Sequence, residues 1–213
     1  MHQDLYDDIA TLQAWFSPAF PIGTFSYSHG LETAIFTNVV RDRKTLFDWI
    51  SDLLNYGTGR NDGCFVVRSF NNEPGINDLC LCLSAGKERL IETLEMGQAF
   101  IRAVNSSYNL SLPGGLAFPV AVGAAAQKMD LDLRITLQSY LQSFAANLIS
   151  VGVRTIPIGQ QAGQDCLVDL TPTFKKVSKE IMNSPIGDFG SATTLSDIMA
   201  MKHEDSESRI YRT

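Results

Sequence analysis

The sequence predicts an all-α fold, a single-domain helical bundle of about ten helices with a flexible C-terminal tail. Three observations carry that expectation. Apolar residues recur at three- and four-residue steps, most clearly between Leu131 and Val153, where Leu133, Leu137, Tyr140, Leu141, Phe144, Leu148 and Val151 fall on one helix face. Alternating, β-branched runs never extend beyond a few positions such as "CLVDL" at 166–170. Prolines and glycines, among them Pro18, Pro21, Gly23, Pro74, Pro113, Gly114, Gly115, Pro157, Pro172 and Pro185, fall between the periodic segments, where a fixed φ or a missing Cβ redirects the chain.

Taken in order, helices are expected at about 5–16 and 27–39. A third, "KTLFDWISDLLNY", turns Leu46, Ile50, Leu53 and Leu54 to one side. Two more follow at about 62–71 and 75–85. The segment "KERLIETLEMGQAFIRAVNSSY" aligns Leu90, Leu94, Gly97, Ile101 and Val104. The helix at about 117–128 carries small residues at 121 and 123–126 that suit tight packing against a neighbour. The long helix from Leu131 to Val153 forms the centre of the fold, with Asp130 read as its start. Thr171 with Pro172 opens a helix at about 172–182, and a last one spans about 192–201. The helical unit is thus 1–201, and 202–213, "KHEDSESRIYRT", is polar, lacks an apolar stripe and is expected to be exposed and mobile when alone.

Composition excludes several function classes. The chain has 213 residues, 45% hydrophobic and 19% charged, enough to bury a sizeable core. A formal charge of -6 disfavours a phosphate-neutralising surface, so nucleic acid is not an expected partner. The most apolar run, "GGLAFPVAVGAAAQ", is short and carries Pro119, whereas a membrane span needs roughly 18 to 20 apolar residues. The beginning, "MHQDLYDDIATLQAWF", is acidic where a signal peptide is basic, which points to the cytoplasm. Cys64, Cys80, Cys82 and Cys166 have neither disulfide-framework nor zinc-knuckle spacing and are expected as reduced thiols.

The stretch "SPAFPIGTFSYSHGLE", 17–32, holds Ser28, His29 and Glu32, the residue types of a serine hydrolase. It lacks the Gly-x-Ser-x-Gly elbow, and no strand precedes it, so the triad is only the alternative reading. His2, His29 and His203 are the only histidines; none has a second histidine at helix-face spacing, and His203 beside Glu204 is a weak metal candidate at most. "PIGQQAGQD", 157–165, lacks the Gly-Lys-Ser/Thr ending of a phosphate loop. It is read as a connection between helices whose Gln160, Gln161 and Gln164 satisfy backbone groups or meet a partner. In the tail, Arg209, Tyr211 and Arg212 are residue types favoured as interface anchors.

Five blocks in order carry a resemblance: "SPAFPIGTFSYSHGLE", "EMGQAF" at 95–100, "FPVAVGAAA" at 118–126, "YLQSFAANLISVGVRTIPIGQQAGQ" at 140–164 and "HEDSESRIYRT" at the end. Over nearly its whole length the chain resembles the urease accessory protein UreF family. That resemblance implies an all-α, non-enzymatic chaperone that dimerises and bridges UreD (also called UreH) and the GTPase UreG, influencing the nucleotide cycle of UreG while the complex delivers nickel to the urease apoprotein. It implies no cofactor bound by this chain alone, with nickel and GTP handled by the partner complex. By motif, Phe25, Ser28, His29 and Glu32 in the first block and Arg209, Tyr211 and Arg212 in the last are the implied partner contacts. The end reads "SRIYRT" where the family commonly has Ser-Arg-Leu-Phe-Arg-Ser, an exchange that keeps the character of the contact.

Overall fold

A computed structural model describes residues 5–184 and 188–213, so His2 and Pro185 lie outside the described residues. Eleven α-helices follow one another among them, and no strand forms. They are α1 (Leu5–Trp15), α2 (Leu31–Phe36), α3 (Arg43–Tyr56), α4 (Thr58–Phe70), α5 (Ile76–Cys82), α6 (Lys87–Ser107), α7 (Phe118–Lys128), α8 (Leu133–Thr155), α9 (Gly159–Asp169), α10 (Thr171–Asn183) and α11 (Thr194–Glu204). The fold is all-α. No helix among the described residues is long and apolar enough to cross a membrane.

Local chemistry sets many of these boundaries. Asp42 caps α3 in a reciprocal box: its side chain accepts from the Thr45 amide at 2.8 Å and the Thr45 hydroxyl accepts from the Asp42 amide at 3.1 Å. Asp132, rather than Asp130, caps α8 by accepting from the Ile135 amide at 2.9 Å. Asp130 instead takes the left-handed turn before it, at φ 54. The segment 157–165 is not a connection, because α9 begins at Gly159 and runs to Asp169. Gly163 is a packing residue there: a Cβ would lie 2.6 Å from Val153 Cγ2 on α8. The short "CLVDL" run ends α9 and contributes Cys166 and Leu170 to the core.

Two large apolar clusters and a smaller one around Phe65, Ile76 and Val120 fill the molecule. In one, Leu46, Ile50, Leu53 and Leu54 of α3 meet Leu137, Leu141 and Leu148 of α8 and Val177 of α10. In the other, Trp15, Phe100, Val104, Phe118 and Tyr140 pack together, with Phe100 edge to face against both Trp15, at 5.2 Å between ring centroids, and Phe118. Helices α4 and α8 supply residues to both, which makes them the shared wall of the two halves. The small residues of α7 let α4 come close: a Cβ on Gly123 would run into the Val66 carbonyl oxygen. On α6 the buried face is Glu92, Thr93, Met96, Gly97, Phe100, Ile101 and Val104, with Leu90 and Leu94 only half-buried. The first half of that helix therefore turns polar side chains inward, and they build the site described next.

The last residues differ from their expected exposure. Helix α11 continues past residue 201 to Glu204, and Tyr211 and Thr213 are 4% and 1% exposed. The physical reason is that the tail's backbone donors find fixed acceptors on the opening loop and on α2.

Candidate protein-interaction surface

Between α1 and α2 the chain passes through a short 3-10 turn (Thr24–Ser26) and two successive left-handed residues, His29 at φ 53 and Gly30 at φ 76. Gly30 is required twice over, since its φ suits glycine and an added Cβ would lie 2.6 Å from the Ala200 nitrogen of α11. This turn lays residues 26–28 alongside the tail. The Arg212 amide donates to the Ser26 carbonyl at 2.8 Å, and the Ser28 amide donates to the Thr213 backbone oxygen at 3.1 Å. The Ser28 hydroxyl donates to that same oxygen and accepts from the Glu32 amide at 3.2 Å. The His29 amide reaches the Thr213 hydroxyl at 3.3 Å.

Glu32, 2% exposed, completes the attachment. Its two oxygens accept from the Ile210 amide at 2.7 Å and the Tyr211 amide at 3.0 Å. A carboxylate is the natural partner of two orphan backbone donors, because it brings acceptors and no donor of its own.

The other side of the attachment is α6, where Glu88, Glu92 and Glu95 stand four and three residues apart and so share a face. Glu88 pairs with Arg209 and with His203 Nδ1, the latter at 2.7 Å. Glu92, buried, pairs with Arg89 and with His29 Nε2, the latter at 3.2 Å. Glu95 pairs with Arg212 at 2.7 Å and accepts from the Tyr27 hydroxyl at 2.8 Å, while the Arg212 guanidinium lies 5.4 Å from the Tyr27 ring centre. On the far side, Arg154 of α8 covers the Tyr211 ring at 5.2 Å. Glu204 accepts from the amides of Lys87 and Glu88 and so caps the start of α6, at 2.7 and 3.2 Å.

These contacts set the charge states. Burial pushes the Tyr27 phenol up, and the Glu95 carboxylate it bonds to pushes it further. The hydrogen bonds from Arg212 and then Tyr27 hold Glu95 below the usual carboxylate range. Burial lowers His29 to about 4 against the opposing pull of Glu92, so near neutral pH the ring is uncharged, with its Nε2 3.2 Å from Glu92 Oε1. Burial alone would raise Glu92, but Arg89 and then His29 hold it low. Beneath this layer, Asp62 accepts from Tyr140 at 3.0 Å and is pushed up to about 6 by burial. His29, Glu92, Arg89, Asp62 and Tyr140 line a cavity of about 40 Å³.

Seven of the residues singled out in the sequence therefore converge: Phe25, Ser28, His29, Glu32, Arg209, Tyr211 and Arg212. Their exposures divide them. Phe25 is 62% exposed, and Arg209 and Arg212 reach solvent, whereas Ser28, Glu32 and Tyr211 are buried and act by holding the surface together. Gln160 and Gln164 stand exposed on α9 and make no hydrogen bond to loop or tail among the described residues. The hydrolase arrangement is absent from this geometry. Ser28 is committed to Thr213 and the Glu32 amide, His29 to Glu92, and Glu32 to the tail, so the three form no relay. His203, the weak metal candidate, is 1% exposed with its two ring nitrogens turned to different carboxylates, not a solvated pair with Glu204. No group of three or more His, Cys, Asp or Glu among the described residues is placed to hold a metal ion. Sequence reading missed the α6 carboxylates; their spacing of four and three on one helix face was the available signal.

Comparison with known proteins now bears on this surface. The model of the UreF family matches residues 40–171. Urease accessory protein UreF of Roseobacter denitrificans is 40% identical over 211 residues, covering 97% of this chain and 95% of that protein. Its counterpart in Ruegeria pomeroyi is 41% identical, covering 96% of each. The chain belongs to the UreF family. Urease accessory protein UreF 1 of Brucella anthropi, 39% identical, covers 95% of the chain and 92% of its own length. The part matched by the UreF family model stops short of both the opening loop and the tail, while the full-length relatives align across nearly the whole chain.

Proposed function

We propose that this chain is a non-catalytic scaffold of urease maturation. It joins the accessory protein UreD, also called UreH, to the GTPase UreG, influences the nucleotide cycle of UreG, and serves as a cytoplasmic homodimer in the complex that delivers nickel to the urease apoprotein. Nickel is cargo here, and GTP belongs to the partner. The observation that carries this reading is the near full-length likeness to proteins named urease accessory protein UreF.

The recognition surface in this proposal is the opening loop with the tail, residues 202–213. Supporting it, exposed Phe25 and the guanidinium groups of Arg209 and Arg212 ride on a backbone held by Ser28, Glu32 and Tyr211. Arg supplies a planar fork of donors and an aromatic ring supplies area at low entropy cost, the combination that anchors protein interfaces. Gln160 and Gln164 on the separate α9 face are proposed as a second contact.

The test is size-exclusion co-elution with UreD and with GTP-loaded UreG, comparing wild type with Arg209→Ala and Arg212→Ala. Wild type should assemble, and the variants should lose a partner while keeping the helical spectrum and a cooperative unfolding transition. Wild type that binds neither protein refutes the scaffold. Variants that assemble like wild type refute the assignment of loop and tail.

A further inference from the structure

His203 lies in the last turn of α11 and is 1% exposed. Its Nε2 is 3.0 Å from Glu32 Oε2 and its Nδ1 is 2.7 Å from Glu88 Oε2. Both carboxylates are already acceptors to the tail: Glu32 from the Ile210 and Tyr211 amides, Glu88 from Arg209. A neutral imidazole has one N–H and one bare nitrogen. It can serve one of these two contacts and must set a lone pair against a carboxylate oxygen in the other. Only the ring that carries both protons satisfies the arrangement.

We propose that a proton on His203 closes a pH-operated latch on the C-terminal tail: the doubly protonated ring fixes Glu32 and Glu88, and those two carboxylates fix residues 209–211. The charged groups facing the ring come from every element around it. Glu32 comes from α2, Glu88 from α6 and Arg209 from the tail behind Glu88. On α11 itself, Lys202 is exposed and Glu204 is turned to the amides that open α6. With the proton present, the two carboxylates are balanced by the ring and Arg209. Without it, a negative charge is left uncompensated beside a buried bare nitrogen, and one carboxylate must swing away. If Glu32 moves, two tail amides lose their acceptor; if Glu88 moves, Arg209 does.

The sign follows from linkage. The docked tail is the state that holds the extra proton, so lower pH favours docking and higher pH opposes it. The other described histidine does not compete, since His29 faces Glu92 and Arg89 and is held near 4 by burial. The latch is a property of this chain alone; its bearing on assembly rests on the function proposed above.

Hydrogen exchange of the full chain tests it, with the protection of the Ile210 and Tyr211 amides corrected for intrinsic exchange from about pH 5.5 to about pH 8.5 and Leu141 in α8 as the reference for global opening. Protection of the tail amides should fall about tenfold or more across that range while that of Leu141 holds. In His203→Gln, tail protection should be low throughout and independent of pH. A flat wild-type profile, or a pH dependence that survives in His203→Gln, overturns the latch. Should that variant not fold, the ring ¹⁵N shifts of His203 in wild type decide: both nitrogens protonated while the tail is docked supports it, and one bare nitrogen with the tail docked overturns it. Because protection is read without partners, failure of the co-elution experiment and failure of the latch are separate results.

Discussion

Replacing Gly30 by alanine should separate backbone strain from contact at the joint between loop and α11. Gly23 and Gly30 share φ +76, so an L side chain at either carries the same left-handed strain, about 1–2 kcal/mol. Their surroundings differ. An added Cβ at Gly23 meets nothing within 4 Å, whereas at Gly30 it lies 2.6 Å from the Ala200 nitrogen and 3.0 Å from the Ser196 oxygen. Those neighbours are helix backbone and cannot rotate aside, so α11 must shift at a further cost of about 1–3 kcal/mol. Gly23→Ala should therefore lose about 1–2 kcal/mol and Gly30→Ala about 2–5 kcal/mol. For a chain of this size the difference is roughly 2–12 °C in Tm. Urea denaturation followed by circular dichroism, with both variants measured side by side, reads it directly. Equal losses at the two positions would refute the claim that α11 rests on Gly30.

Two further outcomes follow from the same geometry. Leu148, 0% exposed where α8 faces the α3 cluster, should cost about 2–5 kcal/mol when truncated to alanine, read from the urea midpoint at constant m-value. A serine-directed fluorophosphonate should leave Ser28 unlabelled, because its hydroxyl is buried and committed to Thr213; mass-spectrometric detection of the adduct would revive the hydrolase.

How much of this was legible in the sequence depends on the range of the force involved. The stripe of α8 was readable because seven apolar residues repeat along one face and all but Leu133 are buried. The small residues of α7 were readable as a close approach, and α4 makes it. Helix α9 was missed because Pro157, Gly159 and Gly163 resemble breakers, although Gly163 is there to let α9 sit against Val153 and Ile149. The tail was read as free because its composition is polar. Its order comes from Glu32, 178 residues from the Ile210 amide it accepts, and no local pattern reports a pairing of that span. In the site, the residue types were visible and their roles were not, since whether Glu32 completes a triad or accepts two backbone amides is decided by what the fold brings against it.

The buried polar layer beneath the loop gives the last expectation, and it hinges on two titrations of opposite sign. His29 falls from 6.5 to about 4 on folding, so the unfolded chain binds the extra proton between those values and stability drops as pH falls through that window. Asp62 rises from 3.8 to about 6, so here the folded chain binds the extra proton and stability gains as pH falls from 6 towards 4. Each shift is worth about 3 kcal/mol at the conversion of about 1.36 kcal/mol per unit, and over pH 4–6 they nearly cancel. Asp62→Asn keeps an acceptor for the Tyr140 hydroxyl and removes one of the two. Its stability relative to wild type should therefore worsen by about 2 kcal/mol between pH 6 and pH 4, the part of the full shift that falls inside that window, while groups common to both proteins drop out of the difference. A stability difference that stays constant over that range would show that Asp62 is ionised in the folded chain as it is in the unfolded one, and that burial does not govern this layer.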